Sequence, residues 1–111
     1  MNAGQTGRSG EVRAAAYLEG MGYRVLERNA RFPSGEIDLI CQDGQTLVFV
    51  EVKARTGREF GSAIAAVDQR KRRKIRAMAS DYTQIHAPSA RVRFDVVTID
   101  GETIALHRSA F

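Results

Sequence analysis

The stretch Gly35–Arg55 (GEIDLICQDGQTLVFVEVKAR) constrains the fold more than any other part of this sequence. It predicts two β-strands, Glu36–Gln42 and Thr46–Ala54, joined by a tight turn at Asp43-Gly44. Side chains on a strand alternate between faces with period two. On the first strand Asp38 shares a face with Ile40, while Ile37, Leu39 and Cys41 take the other. On the second strand Leu47, Phe49, Glu51 and Lys53 share one face, and Val48, Val50, Val52 and Ala54 share the opposite one. An Asp, a Glu and a Lys therefore interrupt faces that are otherwise apolar. Burying such groups costs free energy unless each is paired or put to use.

The rest of the chain supplies the layers that such a hairpin needs. From Ser9, a candidate cap, the residues Glu11, Ala14, Ala15, Leu18 and Met21 fall on one face of a helix that Gly20 and Gly22 end. Residues 2–8 are expected to be a flexible arm. A first strand is expected over Tyr23–Asn29, and Arg31–Gly35 is a turn punctuated by Pro33 and Gly35. After the hairpin, Thr56–Ser62 is a loop. A long helix from about Ile64 to Ile85 carries Val67, Ile75, Met78, Tyr82 and Ile85 as its apolar face. Arg91–Asp100 and Thr103–His107 close the chain as a second hairpin. The expected architecture is a small single α/β domain spanning residues 1–111, a mixed central sheet flanked by helices in the order α-β-β-β-α-β-β. Asp95, mid-strand in an apolar run, is expected in a hydrogen bond or ion pair, and His86 and His107 at the surface.

Charge narrows the range of partners. Arg70, Lys71, Arg72, Arg73, Lys74 and Arg76 place six positive charges within seven residues of the long helix. Of the 17 Lys and Arg residues, the remaining 11 are outnumbered by the 13 Asp and Glu, so the basic balance is a local patch. Such a patch suits phosphate-bearing partners, and its plain alternative is a solvated helix face. No apolar run approaches the ~20 residues of a membrane span. The opening MNAGQTGRSG has no apolar core of a secretory signal, and the single cysteine, Cys41, forms no internal disulfide. A cytoplasmic protein without membrane contact is the expectation.

Asp38 and Glu51 on neighbouring strands would make a hard-oxygen site suited to Mg²⁺ or Mn²⁺. Lys53, about 7 Å beyond Glu51 on the same face, can orient a water or stabilise charge developing on a phosphate. Glu11 admits two readings, a carboxylate favoured by the helix dipole in the first turn or a third acid aimed at the site. Lys71, on the buried line of the long helix, either snorkels to water or reaches inward. Arg55, Arg58 and the basic residues Arg70, Lys71, Arg72, Arg73 and Lys74 are candidates for holding a nucleic-acid backbone. The competing reading of the hairpin is a buried ion pair between Glu51 and Lys53 or Asp38.

GEIDLI, FVEVKAR and the AVDQRKRRKI helix resemble the bacterial YraN family of the PD-(D/E)XK nuclease superfamily, from about Gly7 to Val97. The resemblance implies a restriction-endonuclease-like fold, similar to that of archaeal Holliday-junction resolvases. On that pattern Asp38 matches the first acid, with Ile37 in place of the proline. Glu51, Val52 and Lys53 match the (D/E)XK element, and Glu11 matches the helical acid of resolvase-like members. Together they imply a Mg²⁺-dependent site with Asp38, Glu51 and Glu11 as ligands and Lys53 as the catalytic lysine. The expected function is metal-dependent cleavage of DNA phosphodiesters, in branched or damaged DNA. A nucleic-acid-binding accessory module that does not cut and an RNA nuclease are the alternatives, and a homodimer is an expected assembly.

Overall fold

A computed structural model describes residues 3–54 and 68–111, with the side chains of the first helix described from residue 10. The chain runs α1 (Ala3–Gly20), β1 (Arg24–Phe32), β2 (Gly35–Asp43), β3 (Thr46–Ala54), α2 (Gln69–His86), β4 (Arg91–Asp100) and β5 (Thr103–His107). The strands form one five-stranded sheet in the order β1-β2-β3-β4-β5. Neighbours are antiparallel except β3 and β4, which run parallel from Thr46↔Arg91 to Ala54↔Ile99. A parallel pair cannot be joined by a tight turn, so the chain must cross over between them, and α2 lies in that connection. The expected α/β fold with a mixed sheet and helices is the observed one.

Each helix covers one face of the sheet. Ala14, Ala15 and Leu18 of α1 are fully buried and pack with Tyr23, Leu39, Cys41, Val48, Val50, Val97 and Ile99. Ile75, Met78, Ala79 and Tyr82 of α2 pack on the other face with Ile37, Ile40, Leu47, Phe49 and Val96. The alternation along β3 accounts for this division, with Val48 and Val50 facing α1, and Leu47 and Phe49 facing α2. Phe49 is fully buried and meets Tyr82 edge-on at 5.9 Å between ring centroids. A buried aromatic of this kind contributes roughly 1.5–3 kcal/mol through desolvation. Gly44 and Gly101 close the two tight hairpins with φ of 61° each, a left-handed conformation in which glycine has no Cβ to strain.

The structure moves several element bounds. Helix α1 begins at Ala3, inside the segment expected to be an arm and ahead of Ser9, so Ser9 is not its cap. Glycines at 4, 7 and 10 lower the local helix propensity, but Gly10 is buried, with Ile99 3.8 Å from the position a Cβ would take. Tertiary packing thus overrides propensity here. Strand β1 continues to Phe32, because pairing with β2 extends to Phe32↔Gly35. The expected apolar faces also lose their ends. Met21 is exposed beyond the end of α1, and Ile85 is 77% exposed in the last turn of α2. The part of the long helix expected before residue 68, Val67 included, lies outside the described residues. Among the described residues no helix is long and apolar enough to cross a membrane.

Candidate metal and nucleic-acid site

The site begins where the central hairpin opens. The β2–β3 ladder extends from Asp43↔Thr46 as far as Leu39↔Val50. At the next position along β2, the Asp38 side chain replaces a backbone partner, its Oδ2 accepting the Val52 N–H at 2.8 Å. Across from it on β1, Asn29 adopts φ 53° between the pairs Arg28↔Leu39 and Ala30↔Ile37. Asparagine is among the few residues that tolerate this left-handed conformation. The irregularity resets the alternation. Ile37 joins Ile40 in the cluster under α2, whereas strict period two would put it with Leu39 and Cys41.

Three carboxylates meet at this opening. Glu11 from α1 and Glu36 and Asp38 from β2 each offer an oxygen, all within 4.8 Å of one another. The early start of α1 puts Glu11 in mid-helix, so the first-turn dipole reading does not apply to it. Desolvation pushes the Asp38 carboxyl up to about 7, with the charges of Glu51 and Glu11 adding to it and the Val52 N–H and Lys71 opposing it. Oxygen-only, acceptor-only groups crowded until one favours protonation match what a hard divalent cation neutralises, so the residues fit Mg²⁺ or Mn²⁺. Glu36 was absent from the residues singled out by sequence. Its signal was its place two residues before Asp38 on one strand, where side chains return to the same side.

Glu51 stands outside this group of three. It is 5% exposed on the α2 side of β3. Its Oε1 lies 2.5 Å from Lys71 Nζ and 3.6 Å from Lys53 Nζ. The expected set of Glu11, Asp38 and Glu51 is therefore divided, with Glu11 and Asp38 joined by Glu36 and Glu51 held by two lysines. Lys71 reaches inward and does not snorkel away. Burial works against its charge, but the hydrogen bond and charge of Glu51 outweigh that and raise its pKa. The Lys53 ammonium is pushed down, by burial first and then by the neighbouring Lys71.

A groove of about 460 Å³ reaches one of these carboxylates, bounded by Ser34, Gly35 and Glu36 on one side and by Asp68, Arg70, Lys71 and Lys74 of the α2 start on the other. Asp68 caps α2, its side chain accepting the Lys71 N–H at 2.9 Å, and so fixes the helix turn that aims Lys71 at Glu51. The basic block is split by the helix surface. Arg70, Lys71 and Lys74 line the groove, and Arg73 is exposed. Arg72 and Arg76 instead lie over Phe111 and Phe94, at 5.7 and 5.6 Å from the ring centroids. Arg55 and Arg58 lie outside the described residues.

A second polar cluster, away from these groups, is structural. Asp95 is fully buried and accepts from Arg93 at 2.9 and 3.1 Å, from the Tyr23 hydroxyl at 3.2 Å and from the Ser109 N–H at 3.0 Å. Arg93 also pairs with Asp43 at 3.0 Å. Two of these bonds come from β4 itself, and the others tie β4 to Tyr23 ahead of β1 and to Ser109 after β5. His107, expected at the surface, is half-buried and hydrogen-bonds the Thr98 hydroxyl at 2.9 Å, while His86 is exposed.

The sequence matches the profile of the Uncharacterised protein family UPF0102 over residues 10–99. A UPF0102 protein of Dechloromonas aromatica is 49% identical over 105 residues, covering 95% of this chain and 87% of that protein. One from Shewanella loihica is 44% identical over 105 residues, covering 95% of this chain and 92% of its own. One from Shewanella amazonensis is 41% identical over 111 residues, the full length of both. The matched span takes in Glu11, Glu36, Asp38, Glu51, Lys53 and the basic start of α2, and the chain belongs to the UPF0102 family.

Proposed function

We propose that the protein is a metal-dependent nuclease that hydrolyses DNA phosphodiesters, in keeping with its resemblance to the PD-(D/E)XK superfamily. The observation that carries this reading is the meeting of Glu11, Glu36 and Asp38, of which Glu36 also lines a groove walled by Arg70, Lys71 and Lys74. A carboxylate cluster alone suits many cations, and a basic groove alone suits many polyanions. Side by side, they suit a phosphodiester presented to a divalent cation.

Glu11, Glu36 and Asp38 would hold Mg²⁺ or Mn²⁺. When bound, the cation supplies a Lewis acid and a water acidic enough to act as nucleophile near neutral pH. The chain's own groups do the positioning. The Val52 N–H fixes one Asp38 oxygen. Arg70 and Lys74 bind phosphates along the groove and set the strand's register. Lys53, oriented by Glu51, donates a hydrogen bond to charge developing on the phosphate as the water oxygen bonds to phosphorus and the ester P–O bond breaks.

Incubation with four-way junction, nicked, single-stranded and duplex DNA, with Mg²⁺ or Mn²⁺, tests the reading. Cleavage of at least one substrate, lost in Asp38→Ala and with EDTA, is expected. No cleavage of any of them, or equal cleavage by Asp38→Ala, refutes it. One observation favours a second reading, a nucleic-acid-binding module that does not cut, because Glu51 is already neutralised by two lysines. Binding that needs no metal and survives Glu51→Ala would support that module. RNA in parallel with DNA identifies the substrate sugar.

A further inference from the structure

Lys71 belongs to two structures at once. Its ammonium is 2.5 Å from the buried carboxylate of Glu51, and its side chain lines the groove beside Arg70 and Lys74. The side chain is 39% exposed, so a ligand in the groove can reach it, whereas the side chain of Glu51 is 6% exposed and cannot be reached without displacing it. Glu51 has Lys53 as a second, more distant partner at 3.6 Å. Glu51 is also close enough to Asp38 for its charge to act on that carboxyl. Asp68 anchors the backbone of residue 71 and leaves the long side chain free to swing between the two positions.

We propose that Lys71 couples the two ligands of this site. In the free protein it holds Glu51 apart from the Glu11, Glu36 and Asp38 group. When nucleic acid enters the groove, a phosphate draws the ammonium away and frees Glu51 to join those carboxylates around the cation. A phosphate oxygen competes on equal chemical terms with a carboxylate for an ammonium. The freed Glu51 gains a countercharge in the cation. Nucleic acid and divalent cation then bind with positive cooperativity, and by linkage each raises the affinity of the other by the same factor. The inference rests on the metal and nucleic-acid site proposed above but not on turnover. It assigns Lys71 a positioning role, acting through Glu51 and not on the reacting atoms.

The test measures binding of a fluorescently labelled phosphorothioate duplex and a labelled junction by anisotropy, with and without Ca²⁺, at matched ionic strength. The wild-type protein is expected to bind about fivefold or more tightly with Ca²⁺. Lys71→Met and Lys71→Gln are expected to bind more weakly and to lose that Ca²⁺ dependence. Lys74→Met, which removes a groove charge without touching Glu51, is expected to bind more weakly and to keep it. Circular dichroism shows whether each variant is folded, and the two Lys71 substitutions guard against loss of either one. Ca²⁺ dependence that persists in a folded Lys71 variant, or is absent from the wild type, overturns the proposal. Cleavage is scored separately with Mg²⁺. Coupling without cleavage refutes only the nuclease reading, cleavage without Lys71-dependent coupling refutes only this one, and a wild type that binds no nucleic acid refutes both.

Discussion

Replacing Asp38 with asparagine should stabilise the metal-free protein. Asp38 is half-buried, and its carboxyl is pushed from 3.8 to about 7 by desolvation and by the charges of Glu51 and Glu11. A displacement of that size disfavours the charged form by roughly 4 kcal/mol, at about 1.4 kcal/mol per pH unit. Because the carboxyl is raised on folding, its contribution to stability is fully present below about pH 4 and is lost as the pH climbs through about 7. Asn keeps an oxygen for the Val52 N–H and removes the charge. It gives up the stronger, charge-assisted form of that bond, which costs about 1 kcal/mol, and the repulsion it relieves is shared among three carboxylates. A net gain of about 2 kcal/mol at about pH 8 is expected, shrinking toward zero as the pH falls to about 4. Urea unfolding in EDTA reads this as a rise in midpoint of about 1 M or more, given a slope near 1.5 kcal/mol per molar. Mg²⁺ should reverse the ranking, because only the wild type gains the full binding free energy of the cation. An Asp38→Asn variant less stable than wild type at about pH 8, or a difference that does not change with pH, would refute the account of charge crowding.

Four other predictions address separate parts of the molecule. Arg70→Ala with Lys74→Ala should weaken DNA binding and lower the slope of log affinity against log salt by about two, read by anisotropy across a salt series. Arg72→Ala with Arg76→Ala should leave that slope closer to wild type and cost about 1–2 kcal/mol of stability, because their guanidinium groups are committed to Phe111 and Phe94. Glu36→Gln should weaken Mn²⁺ binding about tenfold or more by calorimetry, and unchanged affinity would remove Glu36 from the ligand set. Arg93→Met should destabilise by about 3 kcal/mol in thermal or urea unfolding, since it leaves the fully buried Asp95 without its bidentate partner. A loss under about 1 kcal/mol would mean that Tyr23 and Ser109 suffice to hold that charge.

The sheet was readable because its strands obey simple rules. Residues 46–54, 91–100 and 103–107 alternate or run apolar between turn residues, and all three match the observed strands. The helix start at Ala3 was not readable, because three glycines argue locally against a helix that the sheet then supports. The site was legible by residue type more than by arrangement. Asp38, Glu51 and Lys53 stood out as charges on apolar faces. Period two gave no warning that the ladder ends at Leu39, that Asp38 bonds across to Val52, or that Ile37 changes face. Those events lie opposite a left-handed Asn29 in the neighbouring strand, which no local pattern announces. The basic block likewise reads as one patch along the chain. The 3.6-residue turn of α2 divides it between the groove and the rings of Phe94 and Phe111.

The parallel pairing of β3 with β4 also sets an order of assembly. Glu36, Asp38 and Glu51 sit in strands joined by tight hairpins, whose pairing closes short loops and forms readily. The β3–β4 ladder instead joins Thr46 to Arg91 and must wait for the crossover that carries α2. A chain emerging from the ribosome thus brings its acidic residues together well before Lys71 can dock on Glu51. Until then Glu51 has only Lys53 of its own strand as a partner, and the groove lacks its wall of Arg70, Lys71 and Lys74. The acidic half of the site is thus made before its basic half.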